Sequence, residues 1–221
     1  LTLTVDRFGE IVLPEIGKLA VAGQRFEDAA AALRAKVASA RIGVEALVNM
    51  GQLRAINVML AGEVAVPGAR SLSGMARLTH ALYAAGGVSD LGSLRAIEVK
   101  RGGDTVARFD AYDLLLRGDG AGDITLRDGD VVFVPPVARL AAVNGAARRP
   151  GVYELGEGER LSDLLAMAGG VTERGRKDRL LLERESPLGT PEILELSAAQ
   201  LADPARPGDR LRVQLASQRF L

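Results

Sequence analysis

Apolar and polar residues alternate through Ile56, Val58 and Leu60, the period-two mark of a strand buried on one face. Pro67-Gly68 follows and predicts a tight turn, because proline presets φ and glycine accepts the positive φ of a type II turn. The spacing then changes to three and four over Met75, Leu78, Leu82 and Ala85, one face of a short helix. Gly86-Gly87 ends that helix, since glycine takes the left-handed cap at little steric cost. Alternation resumes at Ile97 and Val99. The stretch reads as strand, turn, strand, helix, strand.

The same pattern occurs again downstream. Gly62, Pro67, Gly68, Leu72, Arg77, Leu78, Leu82, Ala85, Gly86, Gly87, Val88, Gly92 and Arg101 recur as Gly145, Pro150, Gly151, Leu155, Arg160, Leu161, Leu165, Ala168, Gly169, Gly170, Val171, Gly175 and Arg184, every pair 83 positions apart. A second match, Arg127-Asp128-Gly129-Asp130-Val131-Val132-Phe133-Val134 with Arg206-Pro207-Gly208-Asp209-Arg210-Leu211-Arg212-Val213, stands at 79 positions. The second copy has lost a few residues, and the glycine-rich Arg117–Asp123 segment is where the loss is expected. A repeat of this kind determines the architecture before any single motif does. Each copy is expected to be a small mixed sheet with one helix across it, an α+β unit. Sheets this small are marginal alone, so the copies are expected to lean on each other.

Residues 1–54 precede the repeat and read differently. Leu3 and Val5 alternate, Asp6-Arg7-Phe8-Gly9 predicts a turn, and Ile11 and Leu13 resume, giving a hairpin. Ile16-Gly17-Lys18-Leu19 leads into a helix over Gln24–Ser39, with Phe26, Ala29, Ala30, Leu33 and Val37 on one face. Val44, Ala46 and Val48 predict a further strand. A chain that opens in mid-strand is expected to continue beyond its N-terminus.

Two resemblances rest on these residues. Gly62-Glu63-Val64, Pro67-Gly68, the Leu78–Val88 helix with its Ala-Gly-Gly-Val end and the closing Asp128-Gly129-Asp130 resemble the soluble-ligand-binding β-grasp (SLBB) domain. Gly145–Val213 resembles it too, without the Glu-Val after its first glycine. Val5–Gly17, with Val21-Ala22-Gly23 behind it, resembles the second half of the polysaccharide-export domain, which SLBB repeats follow in the outer-membrane polysaccharide export family. The family's Gly-x-Gly-Asp opening, lipid-modified cysteine and C-terminal amphipathic helix have no counterpart in this sequence. The expected fold class is therefore α+β: 1–54 as the C-terminal part of a polysaccharide-export domain, 55–137 and 138–216 as tandem β-grasp domains, and 217–221 as a tail.

Composition narrows the function. The 221 residues carry 28 basic and 28 acidic side chains, and that balance disfavours a nucleic-acid binder, which shows a basic excess or stripe. Without cysteine there is no disulfide, thiolate nucleophile or thiolate metal site. No apolar run reaches the ~18 residues of a membrane helix. With no Trp, three Tyr and five Phe, a high-affinity lectin-like pocket is disfavoured, because tight sugar sites use aromatic faces.

Candidate chemistry is sparse. His80, the single histidine, aligns with Asp163, so it reads as a surface helix residue rather than a catalytic base. Gly118–Asp123 with Asp128 and Asp130 lacks the ligand spacing of a calcium loop and the Gly-Lys-Ser/Thr of a phosphate loop, and reads as a flexible surface loop. Arg174-Gly175-Arg176-Lys177-Asp178-Arg179 is the one basic cluster; it reads as a solvated loop, with an acidic polymer as the alternative. No catalytic, cofactor or metal residue is assigned and no cofactor is expected; the ligand-binding residues stay unassigned. The resemblance implies a non-enzymatic conduit for capsule or exopolysaccharide in the periplasm and at the outer membrane. Its implied partners are the polymer itself, further copies in a homo-oligomeric ring and an inner-membrane copolymerase, with no nucleic acid. The alternative is a soluble periplasmic ligand- or DNA-binding β-grasp module, as in competence receptors, which add a helix-hairpin-helix reader not found here.

Overall fold

The computed structural model describes residues 1–51, 53–186 and 188–216, so the expected tail at 217–221 lies outside the described residues. The chain divides into two compact units, Leu1–Arg54 and a second that begins at Ala55.

In the first unit β1 (Glu10–Leu13) pairs antiparallel with β2 (Gly17–Ala20), from Glu10 opposite Ala20 to Leu13 opposite Gly17. The expected hairpin was shifted by one arm. Residues 1–5 contribute a single bridge, Val5 to Ile11, and the true partner of β1 is the segment expected to lead into the helix. The reason is the Pro14–Gly17 turn, where Glu15 and Gly17 both take positive φ and reverse the chain. Helix α1 (Phe26–Ala40) buries Ala30 and Val37, while Phe26 at its first turn stays exposed. No strand forms at Val44–Val48 among the described residues. Alternation there marks a chain able to pair, and pairing needs a sheet edge to meet.

The second unit holds two five-stranded mixed sheets of one topology. In the first, β3 (Ala55–Gly62), β4 (Gly68–Ser73), β5 (Ile97–Arg101), β6 (Asp104–Phe109) and β7 (Val131–Val134) lie in the order β4-β3-β7-β5-β6. In the other, β8 (Leu140–Gly145), β9 (Gly151–Glu154), β10 (Gly175–Glu185), β11 (Pro191–Leu196) and β12 (Arg210–Leu215) lie in the order β11-β10-β12-β8-β9, the same arrangement. The parallel pair β3–β7 is matched by β8–β12 at the centre, with Leu60 opposite Val132 and Val143 opposite Leu211. Helices α2 (Leu78–Ala84) and α3 (Leu161–Met167) cover one face of each sheet.

The alternation does what it predicts. Ile56, Val58 and Leu60 point inward with Ile97, Val99, Val132 and Val134, against Leu78, Ala81, Leu82 and Ala85 of the helix side. The second core repeats this with Ala141, Val143, Leu180, Leu182, Leu211 and Val213 against Leu161, Leu164 and Ala168. Burying each such leucine stabilises the fold by about 1.5–3 kcal/mol, so each sheet has a core of its own. Met75 is the exception: it sits in the turn before α2 and is exposed. Pro67-Gly68 closes a longer loop rather than making a two-residue turn, since Leu60 pairs with Gly68 across the intervening residues. Gly86 and Gly87 both take positive φ just past α2, as do Gly169 and Gly170 past α3.

One glycine of the repeat has a further reason. Gly62 and Gly145 each have φ +78, and a Cβ there would stand 2.1 Å from Val134 O and 2.2 Å from Val213 O. The central parallel strands approach too closely for any side chain at that point.

The change of offset from 83 to 79 hides two events. The β10–β11 hairpin is longer than β5–β6: Leu180 pairs with Leu196, 16 positions on, whereas Ile97 pairs with Phe109, 12 positions on. After it, 22 positions separate Phe109 from Val131, but only 14 separate Leu196 from Arg210. The loss therefore lies near the expected place and is partly masked by an insertion the sequence reading missed. In the first copy this region holds a π-helical turn at Asp113–Arg117, in the second a 3-10 turn at Ala199–Ala202.

Both copies pin the closing turn in the same way. Asp130 is fully buried and receives Arg101 Nε at 2.7 Å, Arg101 Nη2 at 2.8 Å and the Arg127 backbone N–H at 2.8 Å. Asp209 receives Arg184 Nε at 2.7 Å, Arg184 Nη2 at 2.6 Å and the Arg206 N–H at 2.8 Å. Such forked pairs tie the end of one strand to the start of the next. Burial pushes the Asp130 carboxyl up, but the Arg101 fork and the Arg127 N–H outweigh it and hold the group below the ordinary carboxylate range. A depressed native pKa gives stability that is fully present above the unfolded value of about 3.9 and is lost as pH falls through the folded value. Asp130→Asn should therefore destabilise the chain near neutral pH, with a penalty that shrinks as pH drops below about 4. Urea unfolding from pH 7 to pH 2.5 measures this, and a pH-independent penalty would contradict it.

Candidate functional site: the junction of the two sheets and their open faces

The two sheet domains meet at one buried cluster. The Leu91–Ala96 loop ahead of β5 is held to the segment after β7 by Val137 N–H to Leu91 O and Ser93 N–H to Pro135 O, both 2.8 Å, and reaches the second domain from there. The Glu154 carboxylate at the end of β9 is buried and accepts Ser93 Oγ at 2.6 Å and the Leu94 N–H at 2.7 Å. Ser93 Oγ in turn accepts the N–H groups of Arg95 and Ala96 at 3.1 and 2.9 Å, which fixes the loop.

Arg95 is the bridging cation. Its Nε donates to Glu154 O at 2.8 Å, and its Nη2 reaches Glu159 Oε1 and Met167 Sδ, each at 2.9 Å. Nη1 lies 3.3 Å from Asp110 Oδ2 on its own domain. The guanidinium carbon sits 4.3 Å from the centre of the Tyr112 ring, a cation–π contact in a site where Arg95 is only 14% exposed. Tyr112 also accepts the Glu154 N–H at 2.9 Å. Burial raises the Tyr112 phenol and the Asp110 carboxyl above their ordinary values. Nothing in the repeat pattern marked this cluster, since Arg95 aligns with Asp178 and Glu154 with Ser71.

The residues singled out from sequence go elsewhere. His80 is exposed at the third position of α2, where Nδ1 accepts the Arg77 N–H at 3.1 Å. Asp163 does the same for Arg160 at 2.9 Å, so the two side chains are interchangeable as acceptors at a helix start. Gly118–Asp123 is not simply a surface loop: Asp123 is buried, and accepts the Thr79 N–H at 2.9 Å and Thr79 Oγ1 at 3.0 Å, capping α2 from a distance. Asp110, Asp113 and Asp119 line a shallow groove of about 190 Å³ beside Arg95, yet each has a protein partner: Arg95, Arg117 and the Ala121 N–H. Arg174 of the basic cluster lies in the turn before β10, but Gly175–Arg179 form the head of that strand, where Arg176 pairs with Asp178 at 2.8 Å and Arg179 with Glu195 at 3.3 Å.

Among the described residues each sheet leaves side chains exposed on its other face. On the first, Met59, Val131 and Phe133 form an apolar patch edged by Lys100, Glu98 and Arg108, with Lys100 Nζ 4.8 Å from the Phe133 ring centre. On the second, Asn144, Leu181, Glu183, Ile193, Arg210 and Arg212 line a shallow groove of about 290 Å³.

Residues 56–134 and 140–194 each match the SLBB domain family. The chain carries two SLBB domains. Both matches fall on the two sheet domains, and distant homology extends to polysaccharide export proteins. The polysialic acid transport protein KpsD of Escherichia coli is 32% identical over 145 residues, 65% of this chain and 26% of the relative. The EPS I polysaccharide export outer membrane protein EpsA of Ralstonia solanacearum is 29% identical over 200 residues, 88% of this chain and 52% of the relative. The SLBB chain thus spans about a quarter to a half of these relatives' lengths. Among the described residues no helix is long and apolar enough to cross a membrane.

Two outcomes follow from this geometry. Arg95→Ala leaves Glu159 and Glu154 O without their partner and should lower stability by about 1–3 kcal/mol. Amide exchange at Leu94 and Leu155 should quicken well before exchange in either core, and unchanged junction protection would count against the bridge. His80→Ala should cost about 0.5–1 kcal/mol, while His80→Asp retains wild-type stability in thermal unfolding.

Proposed function

We propose that this chain is a non-enzymatic component of bacterial capsule or exopolysaccharide export, acting in the periplasm and at the outer membrane. The observation that carries the reading is the locked tandem: two SLBB domains with separate cores, joined by a buried polar junction, in a chain related to proteins named for polysaccharide transport and export. An enzyme needs reactive groups gathered in a cleft, whereas this chain places its buried charges in structural pairs between strands and domains. A conduit needs the opposite economy: fixed domain geometry, and open faces that polymer can pass without being held.

In this reading residues 1–54 form the C-terminal part of a polysaccharide-export domain, ahead of SLBB domains at 55–137 and 138–216. Copies assemble side by side around an axis into a ring, because closed cyclic symmetry lets one surface of each subunit satisfy the next. An inner-membrane copolymerase delivers polymer to the ring. Sliding is served by weak, exposed polar contacts, which each contribute little and release readily.

Deletion of the gene tests the reading, with surface polysaccharide and DNA uptake measured on the same cells. Loss of surface polymer with normal DNA uptake, restored by the intact gene, is the expected result. Normal polymer with impaired DNA uptake would overturn it in favour of a DNA-binding β-grasp module.

A further inference from the structure

The two sheets are copies of one fold, so their open faces can be compared position by position within a single chain. Inward positions agree: Val132 and Val134 of β7 correspond to Leu211 and Val213 of β12, all buried. Outward positions on the same strands do not. Val131 becomes Arg210, Phe133 becomes Arg212, and Ala61 of β3 becomes Asn144 of β8. Val131 and Phe133 of the first domain's apolar patch, and Ala61 beside them, thus give way to two guanidiniums and an amide, while Glu98 and Lys100 at its edge become Leu181 and Glu183. Selection for the fold alone constrains the inward residues and leaves this outward difference unexplained.

The surroundings of these arginines define what they could meet. β12 is the central strand, so both stand in mid-sheet, two residues apart and therefore about 7 Å along the strand. Each can meet a separate anionic group. Arg210 lies 3.6 Å from Glu183 Oε1, while Arg212 makes no ion pair among the described residues. Leu181 and Ile193 supply the apolar parts of the groove, and among the described residues no aromatic ring lines it. A nucleic acid is a poor match, because single strands bind on aromatic stacking platforms. Glu183 within the groove can accept hydroxyls, which a sugar chain presents along its whole length.

We propose that the open face of the second SLBB domain is a contact site for a carboxylate-bearing polysaccharide chain. Arg212 and Arg210 meet its carboxylates, and Asn144 and Glu183 meet its hydroxyls. The assignment deepens the export reading and rests on it for the polymer's biological source, but binding is measurable without it. Affinity is weak, since exposed ion pairs each contribute only about a two- to fivefold gain.

The test is a nuclear magnetic resonance titration of the isotopically labelled 221-residue chain with three probes: hexagalacturonate, neutral maltohexaose and a twelve-nucleotide single-stranded DNA. Hexagalacturonate should shift the amides of Asn144, Leu181, Arg210 and Arg212 and leave those of Met59 and Phe133 in place. Arg212→Gln should weaken that binding by about two- to fivefold, and the double change with Arg210→Gln by more, with the rest of the spectrum unaltered. Raising salt should weaken it as well. Binding that ignores both substitutions, equal binding of maltohexaose, or tighter binding of DNA through the same residues would each overturn the proposal. A deletion strain with normal surface polymer would sink the export reading and leave a positive titration standing, so the two failures are distinguishable.

Discussion

A carboxylate taken out of water has to be met by donors, and Glu154 is met by donors from the other domain. Left unpaired, a buried charge of this kind costs several kcal/mol, on the order of 3–5 when one partner of a buried pair is removed. Ser93 Oγ and the Leu94 N–H satisfy it from a loop of the first SLBB domain, and Arg95 continues across to Glu159 and Met167. The two domains therefore cannot part without exposing or orphaning several charges together. Apolar contact alone would let two small sheets slide; directional hydrogen bonds to a buried group hold one orientation.

The same physics operates inside each domain on a shorter scale. Arg101 grips Asp130 and Arg184 grips Asp209 with two-pronged bonds, although the partners are 29 residues apart in one copy and 25 in the other. The fork survives a change in the chain between its ends because it fastens strands, not sequence neighbours. Glycines at 62 and 145 complete the arrangement, allowing the central parallel strands to approach to a distance that forbids a Cβ.

The charges of the chain divide between its interior and its open faces. Buried ionic groups go into strand-to-strand and domain-to-domain fastenings and the cap of α2, and the open sheet faces keep exposed side chains. Under the proposed export reading, such a division suits a rigid wall beside which a polymer moves. The faces differ between copies that otherwise share a core, so the repeat supplies one scaffold with two surfaces.

Much of the scaffold was legible in the residues themselves. Alternation in Ile56, Val58 and Leu60, the helix spacing of Leu78, Leu82 and Ala85, and the Gly-Gly caps are local properties, and local geometry obeys them. The repeat also carried the recurrence of Arg101 with Asp130 as Arg184 with Asp209, though only folding shows that they touch. Other features were settled by tertiary contact. Val44, Ala46 and Val48 alternate without forming a strand, because a strand needs a partner that sequence period does not supply. The first hairpin took a different partner for the same reason. Asp123 became a helix cap and Arg95 a bridge between domains, each through groups distant in sequence. Periodicity reports which side of an element faces inward; which charged groups meet across the fold depends on how the elements are placed in three dimensions.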